Sequence, residues 1–176
     1  FYIYQANPQY HVFYPGGYPS SIPSDYGDNP AITTSGGAGY DNTDVNRFNG
    51  KFSFDVNLPV IEGLGFDGYF VYNTSNTQRK AWKTPWKYYG YDWDTEELTE
   101  FVGGTNSKPT LSQWATANKS YLFNFRVKYE KQFADHYIST FIAGEQSKGE
   151  SNTLYAFRRD YISSALDEIF AGSAAN

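Results

Sequence analysis

The chain of 176 residues contains no cysteine and no methionine. Without cysteine, disulfides, Cys-based zinc sites and thiol catalysis are excluded, and a Cys-free chain suits an oxidising compartment. Charge is sparse: Asp plus Glu is 19 against 14 Lys plus Arg, a formal net charge of -5. That balance lacks the basic face of a nucleic-acid binder, so no nucleic-acid partner is expected; it suits a neutral or cationic partner, or merely a soluble surface. Long hydrophobic runs are missing too. Tyr69-Phe70-Val71-Tyr72 is about as long as they get, far short of the ~18–20 apolar residues of a membrane helix. Helical membrane proteins are thereby excluded, but a membrane β-barrel is not, because alternating strands leave no hydropathy peak. The chain opens Phe1-Tyr2-Ile3-Tyr4 with no signal-peptide pattern, so the expectation is a processed chain or an internal piece of a longer one. There is no Walker or dinucleotide glycine pattern, since Gly103-Gly104 lacks the residues that should follow. The two histidines, His11 and His136, have no metal-ligand spacing. No cofactor, metal or catalytic residue is expected, and the chain is not read as an enzyme.

Aromatic residues are plentiful: 17 Tyr, 14 Phe and 4 Trp, with 16 Gly and 8 Pro. This composition favours β structure with long loops over a helical bundle, and it argues against wholesale disorder. From Arg47 to Leu58 the even positions are Phe48, Gly50, Phe52, Phe54, Val56 and Leu58, and the odd ones are Arg47, Asn49, Lys51, Ser53, Asp55 and Asn57. Period-two alternation of this kind predicts a strand with one apolar face. A second strand is expected over about 64–75, with Leu64, Phe66, Phe70 and Tyr72 on its apolar side. A third is expected over about 119–130, where Tyr121, Phe123, Phe125, Val127 and Tyr129 alternate with Asn124, Arg126 and Lys128. A fourth covers about 136–146, with Ile138, Thr140 and Ile142 on one side and Tyr137, Phe141, Ala143 and Glu145 on the other; which side is the apolar face is left open by the sequence. Phe1–Tyr4 is read as a strand end and 94–98 as a short helical turn. Tyr161, Ala165, Leu166, Ile169 and Phe170 are read as an amphipathic helix, with Ser163 or Ser164 capping it and Gly172 ending it.

These strands are ~11–12 residues each, whereas globular strands average ~5–6 and barrel spans need ~9–11. The connections near 59–63 and 131–135 are short, while the other connections are long, which is the loop asymmetry of outer-membrane barrels. Tyr121 and Tyr129 bracket plain hydrocarbon as an aromatic girdle does. The polar rows would then line a lumen. The fold expectation is all-β: a section of a large antiparallel transmembrane β-barrel with long extracellular loops, since four strands cannot close by themselves. The segments are expected to be 1–46, extracellular loop and strand end; 47–75, a hairpin with a periplasmic turn near 59–63; 76–118, a long extracellular loop; 119–146, a hairpin with a periplasmic turn near 131–135; and 147–176, an extracellular loop with a short helix. The alternative is a soluble sheet in a secreted β-sandwich that binds carbohydrate.

Three stretches also carry a family likeness. Phe52-Ser53-Phe54-Asp55-Val56-Asn57-Leu58-Pro59-Val60-Ile61-Glu62-Gly63-Leu64 resembles a strand and periplasmic turn ending in Gly-Leu. Tyr129-Glu130-Lys131-Gln132-Phe133-Ala134-Asp135-His136, followed by Gly144-Glu145, resembles a Tyr…Phe-Gly-x-His turn with its downstream strand, with Ala134 in place of the usual Gly. Tyr161 to Asp167 with Ala171-Gly172 resembles an external loop helix. Over roughly residues 45–176 the chain thus resembles the SusC/RagA group of TonB-dependent outer-membrane transporters of Bacteroidota. The resemblance implies a ~22-stranded plugged barrel in the bacterial outer membrane that imports oligosaccharides or peptides. It also implies a SusD-like surface lipoprotein as partner, and TonB engaged through parts outside this chain. The plug, the TonB box and the C-terminal strand are not in this sequence, so no energy-coupling or gating residue is carried over.

Trp82, Trp86, Tyr88, Tyr89, Tyr91 and Trp93 crowd the 76–118 segment. Aromatic faces pack on the C–H faces of sugars and nearby acids accept hydroxyls. Trp86, Tyr88, Tyr89, Tyr91, Trp93, Asp92 and Asp94 are therefore the candidate substrate-binding residues. The same aromatics equally suit loop packing and lipoprotein contact. Asp92, Asp94, Glu96 and Glu97 lack the glycine of an EF-hand loop and read as a solvated run. Arg158-Arg159 beside Asp160 reads as a loop charge cluster.

Overall fold

The structure, a computed structural model, describes residues 9–21, 29–104 and 107–173. The expected strand end at Phe1–Tyr4 lies outside the described residues. Strands make up 67% of the described residues and helix almost none, against ~20–25% strand in ordinary globular domains, so the protein is all-β with antiparallel sheets. In chain order the elements are β1 (Phe13–Tyr14), β2 (Tyr18–Pro19), α1 (Pro30–Thr34), β3 (Gly39–Asn57), β4 (Leu64–Lys83), β5 (Trp86–Tyr91), β6 (Leu98–Gly103), β7 (Thr110–Phe133) and β8 (His136–Arg158), followed by a 3₁₀ turn at Ile169–Ala171. β3-β4-β7-β8 form one sheet in that order, and β1-β2 and β5-β6 are two-stranded sheets. The chain forms two compact units. One comprises Phe1–Thr43, Arg79–Trp114 and Tyr155–Asn176; the other comprises Asp44–Gln78 and Ala115–Leu154.

The second unit consists of the four-stranded sheet with its two short turns, and its two faces differ in chemistry. On one face the rings of Phe48 and Tyr72, Phe54 and Phe125, Phe66 and Phe125, Phe70 and Tyr121, and Tyr72 and Tyr121 lie 5.1–6.4 Å apart. On the other face Lys128 pairs with Asp55 at 2.7 Å and Arg126 with Asp67 at 3.0 Å. There too Glu145 accepts from Asn124 at 3.0 Å and from Tyr69 at 3.4 Å, and Lys51 sits 4.6 Å over the Tyr69 ring. The faces of β8, open in the sequence, are settled by these contacts. Glu145, together with Phe141 under the Arg126 guanidinium at 5.6 Å, belongs to the charged face. Period-two alternation then places Ile138 and Ile142 on the apolar face. No hydrophobic residue of this unit is buried among the described residues: Phe52 is 68% exposed and Ile142 78%.

Two tight connections hold the register. In the β3–β4 turn, Gly63 has φ 85°, and a Cβ there would meet the Glu130 carbonyl oxygen at 2.0 Å. Only glycine tolerates both the left-handed backbone and that approach, and it lets the Glu130 N–H donate to the Gly63 carbonyl at 2.8 Å. The β7–β8 turn is Ala134-Asp135, with Ala134 in the left-handed region at φ 48°.

The four long strands have 19 to 24 residues, about twice the length expected from alternation. The segment read as one loop over 76–118 holds the end of β4, the β5–β6 hairpin and the start of β7; the segment 147–158 is strand as well. In these extensions polar residues such as Ser112, Gln113, Thr116 and Asn118 of β7 leave no regular apolar row, and the apolar residues there, such as Trp82 and Leu111, are isolated core positions. Without a regular apolar row the alternation signal vanishes while the backbone ladder continues, so period-two reasoning cannot see them.

The first unit holds the core: Trp82, Leu111 and Tyr161 are buried together, with Tyr40, Ile169 and Ala171 packed on them. Tyr161 meets Trp82 edge-on at 4.6 Å and donates its hydroxyl to the Glu168 carbonyl at 3.0 Å. Asp167 accepts from the Tyr40 hydroxyl and pairs with Lys80 at 3.0 Å. These tertiary contacts displace the amphipathic helix expected over 161–170. Asp160 turns the chain at φ 59°, Ser163 caps only a local turn to the Ala165 N–H at 3.1 Å, and a three-residue 3₁₀ turn remains. At the other end of the sequence, buried Asn29 caps α1 by accepting from the Ala31 N–H at 2.9 Å. Its amide donates to the Val12 carbonyl at 2.8 Å and the Ser20 carbonyl at 3.1 Å, tying the β1–β2 hairpin to the helix start.

Candidate functional site

The candidate residues lie on β5 and in the turn that follows it, within the first unit. β5 and β6 pair antiparallel from Trp86↔Gly103 to Tyr91↔Leu98. Alternation along β5 divides the aromatics between two faces. Trp86 and Tyr88 take one, with Tyr88 stacked on Phe101 at 5.3 Å and the Trp86 indole lying over Gly103. Tyr89 and Tyr91 take the other, where the β1–β2 hairpin packs. Tyr18 meets Tyr89 edge-on at 5.0 Å, Tyr14 stacks on Tyr91 at 5.6 Å, and the Ser21 N–H donates to the Tyr89 carbonyl at 2.7 Å. Trp93 joins this second face. Its ring stands edge-on to Tyr91 at 4.7 Å and lies 5.5 Å from His11 and 6.3 Å from Tyr14. It is 60% exposed, so it presents an indole to solvent from a base of fixed rings. Trp82, which the sequence grouped with these residues, is buried in the core on β4 and takes no part.

The acids are largely committed to structure. Asp92 Oδ1 accepts from the backbone N–H groups of Asp94 at 2.9 Å and Thr95 at 3.3 Å. These bonds hold its carboxyl below the usual carboxylate range. They also shape residues 92–97 as a turn, where the sequence suggested helix. Asp94 is exposed at the tip of that turn. Glu100, opposite Tyr89, pairs with Lys87 at 2.9 Å and accepts from the Tyr89 hydroxyl at 3.2 Å. The Lys87 ammonium lowers the Glu100 pKa and is itself raised by it, while desolvation and then Glu100 push the Tyr89 phenol up. No cluster of three or more metal-ligating side chains exists among the described residues.

The arrangement offers stacking and weak hydrogen bonding: a pinned tryptophan face, phenol hydroxyls and one partly satisfied carboxylate. Of the seven candidates, Tyr89, Tyr91, Trp93 and Asp92 share one neighbourhood, whereas Trp86 and Tyr88 face away. Sequence reasoning missed His11, Tyr14, Tyr18, Lys87 and Glu100. A signal existed for the first three, since aromatics flank Pro15-Gly16-Gly17, a hairpin pattern. Lys87 and Glu100 had none, because their meeting depends on the β5–β6 register.

No family model matches the chain, and neither does any curated protein.

Proposed function

We propose that the chain forms part of the wall of a transmembrane β-barrel. The parent would be an importer similar to the SusC/RagA group, in the outer membrane, carrying oligosaccharides or peptides, with a SusD-like lipoprotein and TonB as partners. The observation that carries this reading is the two-faced sheet of the second unit. An uncovered apolar patch containing Phe52, Phe123 and Ile142 is a liability in water, whereas in a bilayer it is the lipid face. The charged row behind it, with Asp55, Asp67, Arg126 and Lys128 paired among themselves, suits an enclosed aqueous space. At a ~40° tilt the stretch from Phe48 to Leu58 rises roughly 25 Å, the height of a barrel's apolar band. β3 and β8 are long open edges, which lipid does not tolerate, so further strands of the same barrel would pair with them. The short turns at Leu58–Gly63 and Ala134-Asp135 would be periplasmic. The β5–β6 hairpin, with Trp93, would be extracellular, where a stacking face for a ligand or the lipoprotein is useful. A secreted β-sandwich would instead need a second sheet over Phe52 and Phe123.

The absence of cysteine makes the test direct. In outer membranes carrying the intact protein in a Cys-free background, Ser53→Cys is expected to react with a membrane-impermeant charged thiol reagent. Phe52→Cys is expected to be protected, and a fluorophore placed there to be quenched by a nitroxide lipid. Equal labelling of both positions from water, or recovery of the protein in a salt-washed soluble fraction, would sink the barrel reading.

A further inference from the structure

The charged face of the second unit carries a recess of about 130 Å³ whose wall includes Arg47, Asn49, Asn73, Ser75, Asn118 and Ser120. It spans β3, β4 and β7, centred on the inner strand β4, and further strands pairing with β3 through its backbone leave the Arg47 and Asn49 side chains on this face. No carboxylate and no apolar side chain lines it. Elsewhere on this face Arg126 has Asp67, Lys128 has Asp55, and Lys51 rests over the Tyr69 ring. Arg47 makes no ion pair among the described residues, and the neighbouring Lys119 alternates onto the opposite face, in the field of Glu150. An unpaired guanidinium ringed by amides is a site for a planar oxoanion. Asn73 Nδ2–H donates to Ser120 Oγ at 3.3 Å, which leaves the Asn73 carbonyl and the Ser120 hydroxyl proton, with the Asn49 and Asn118 amides, to pair with groups beside the anion. Groups that both donate and accept match ring hydroxyls. An acidic peptide side chain would bring methylenes, for which this wall has no apolar surface.

We propose that the recess is a subsite for the carboxylate of an acidic oligosaccharide, that is, for one uronate residue of a longer chain. Its volume lies well below the ~300–1,000 Å³ of pockets that enclose a whole small ligand, which suits a single residue. This assignment rests on the barrel reading, in which this face lines the import path.

The test is calorimetry on the intact protein in detergent. The probes are trisaccharides of galacturonate, glucuronate and mannuronate, their neutral hexose counterparts, and triglutamate. At least one uronate is expected to bind about tenfold or more tighter than its neutral counterpart. Arg47→Gln should erase that preference while leaving neutral binding within about twofold, Arg47→Lys should retain part of it, and higher salt should weaken it. Asn73→Ala, which keeps every charge, should weaken the uronate as well, and it serves as the probe if Arg47→Gln does not fold. No uronate preference, an unchanged preference in both variants, or equally tight Arg47-dependent binding of triglutamate would overturn the proposal. If the Ser53 and Phe52 cysteine variants behave as a barrel requires while Arg47→Gln is silent, only the subsite falls.

Discussion

Phe123→Arg separates lipid from water at one position. Phe123 lies within the apolar row of β7, an inner strand, and is 47% exposed. In water, replacing so exposed a side chain costs little, about 0.5 kcal/mol or less. Facing acyl chains, an arginine near the midplane costs about 2–4 kcal/mol, a factor of roughly 30 to 700 in the folding equilibrium at ~1.4 kcal/mol per tenfold. The matched control is Asn124→Arg, one residue along and on the opposite face, where the Glu145 carboxylate that now accepts from Asn124 at 3.0 Å is ready to pair with the new guanidinium. The assay is reversible urea unfolding of the intact protein in lipid vesicles, followed by tryptophan fluorescence, with the heat-modifiable gel shift of folded barrels as a second readout. Phe123→Arg should lower stability by about 2 kcal/mol or more, and Asn124→Arg should stay within about 0.5 kcal/mol of the parent. Equal and small effects at both positions would refute the placement of that row against lipid.

Two further perturbations test local claims. Gly63→Ala puts a methyl group into the Glu130 carbonyl at 2.0 Å on a backbone with φ 85° and should cost about 2 kcal/mol or more, read as a lower urea midpoint with a raised exchange rate at the Glu130 amide. Asp167→Asn removes the carboxylate that holds the tail to Tyr40 and Lys80. Partial exposure and solvent screening limit that loss to about 1 kcal/mol, seen as faster amide exchange over residues 161–171. The Asp167 pKa is depressed, first by the Tyr40 hydrogen bond and then by Lys80. Its contribution is therefore complete above the ordinary aspartate range near ~4 and disappears as pH falls through the lower folded value. Tail protection should decline on acidification below about pH 5 in the parent and be flat there in Asp167→Asn.

What the sequence made legible follows from where hydrophobic contrast exists. Phe48 to Leu58 and Tyr121 to Tyr129 alternate because one side of the sheet is apolar and the other charged, so strand, face and approximate ends of the band could be read directly. β8 was ambiguous because Phe141, on the charged face, is covered by the Arg126 guanidinium; an aromatic there mimics an apolar-face residue, and only the cross-strand partner reveals it. The extensions of β4, β7 and β8 were invisible for the opposite reason, since Asn, Ser, Thr and Gln are scattered over both sides and the few apolar residues, such as Trp82 and Leu111, follow no alternation. The tail misled because Tyr161, Leu166, Ile169 and Phe170 carry helical spacing. Yet Tyr161 is buried on Trp82 while Phe170 is 81% exposed, and a single helical face cannot leave its members in such different surroundings. The aromatic cluster failed as one platform by the same rule that revealed the strands. Residues two apart share a face and neighbours do not, so Tyr88 and Tyr89 were bound to separate once β5 formed. Composition placed the chemistry in the right segment, and pleat parity decided which of those rings could meet a common ligand.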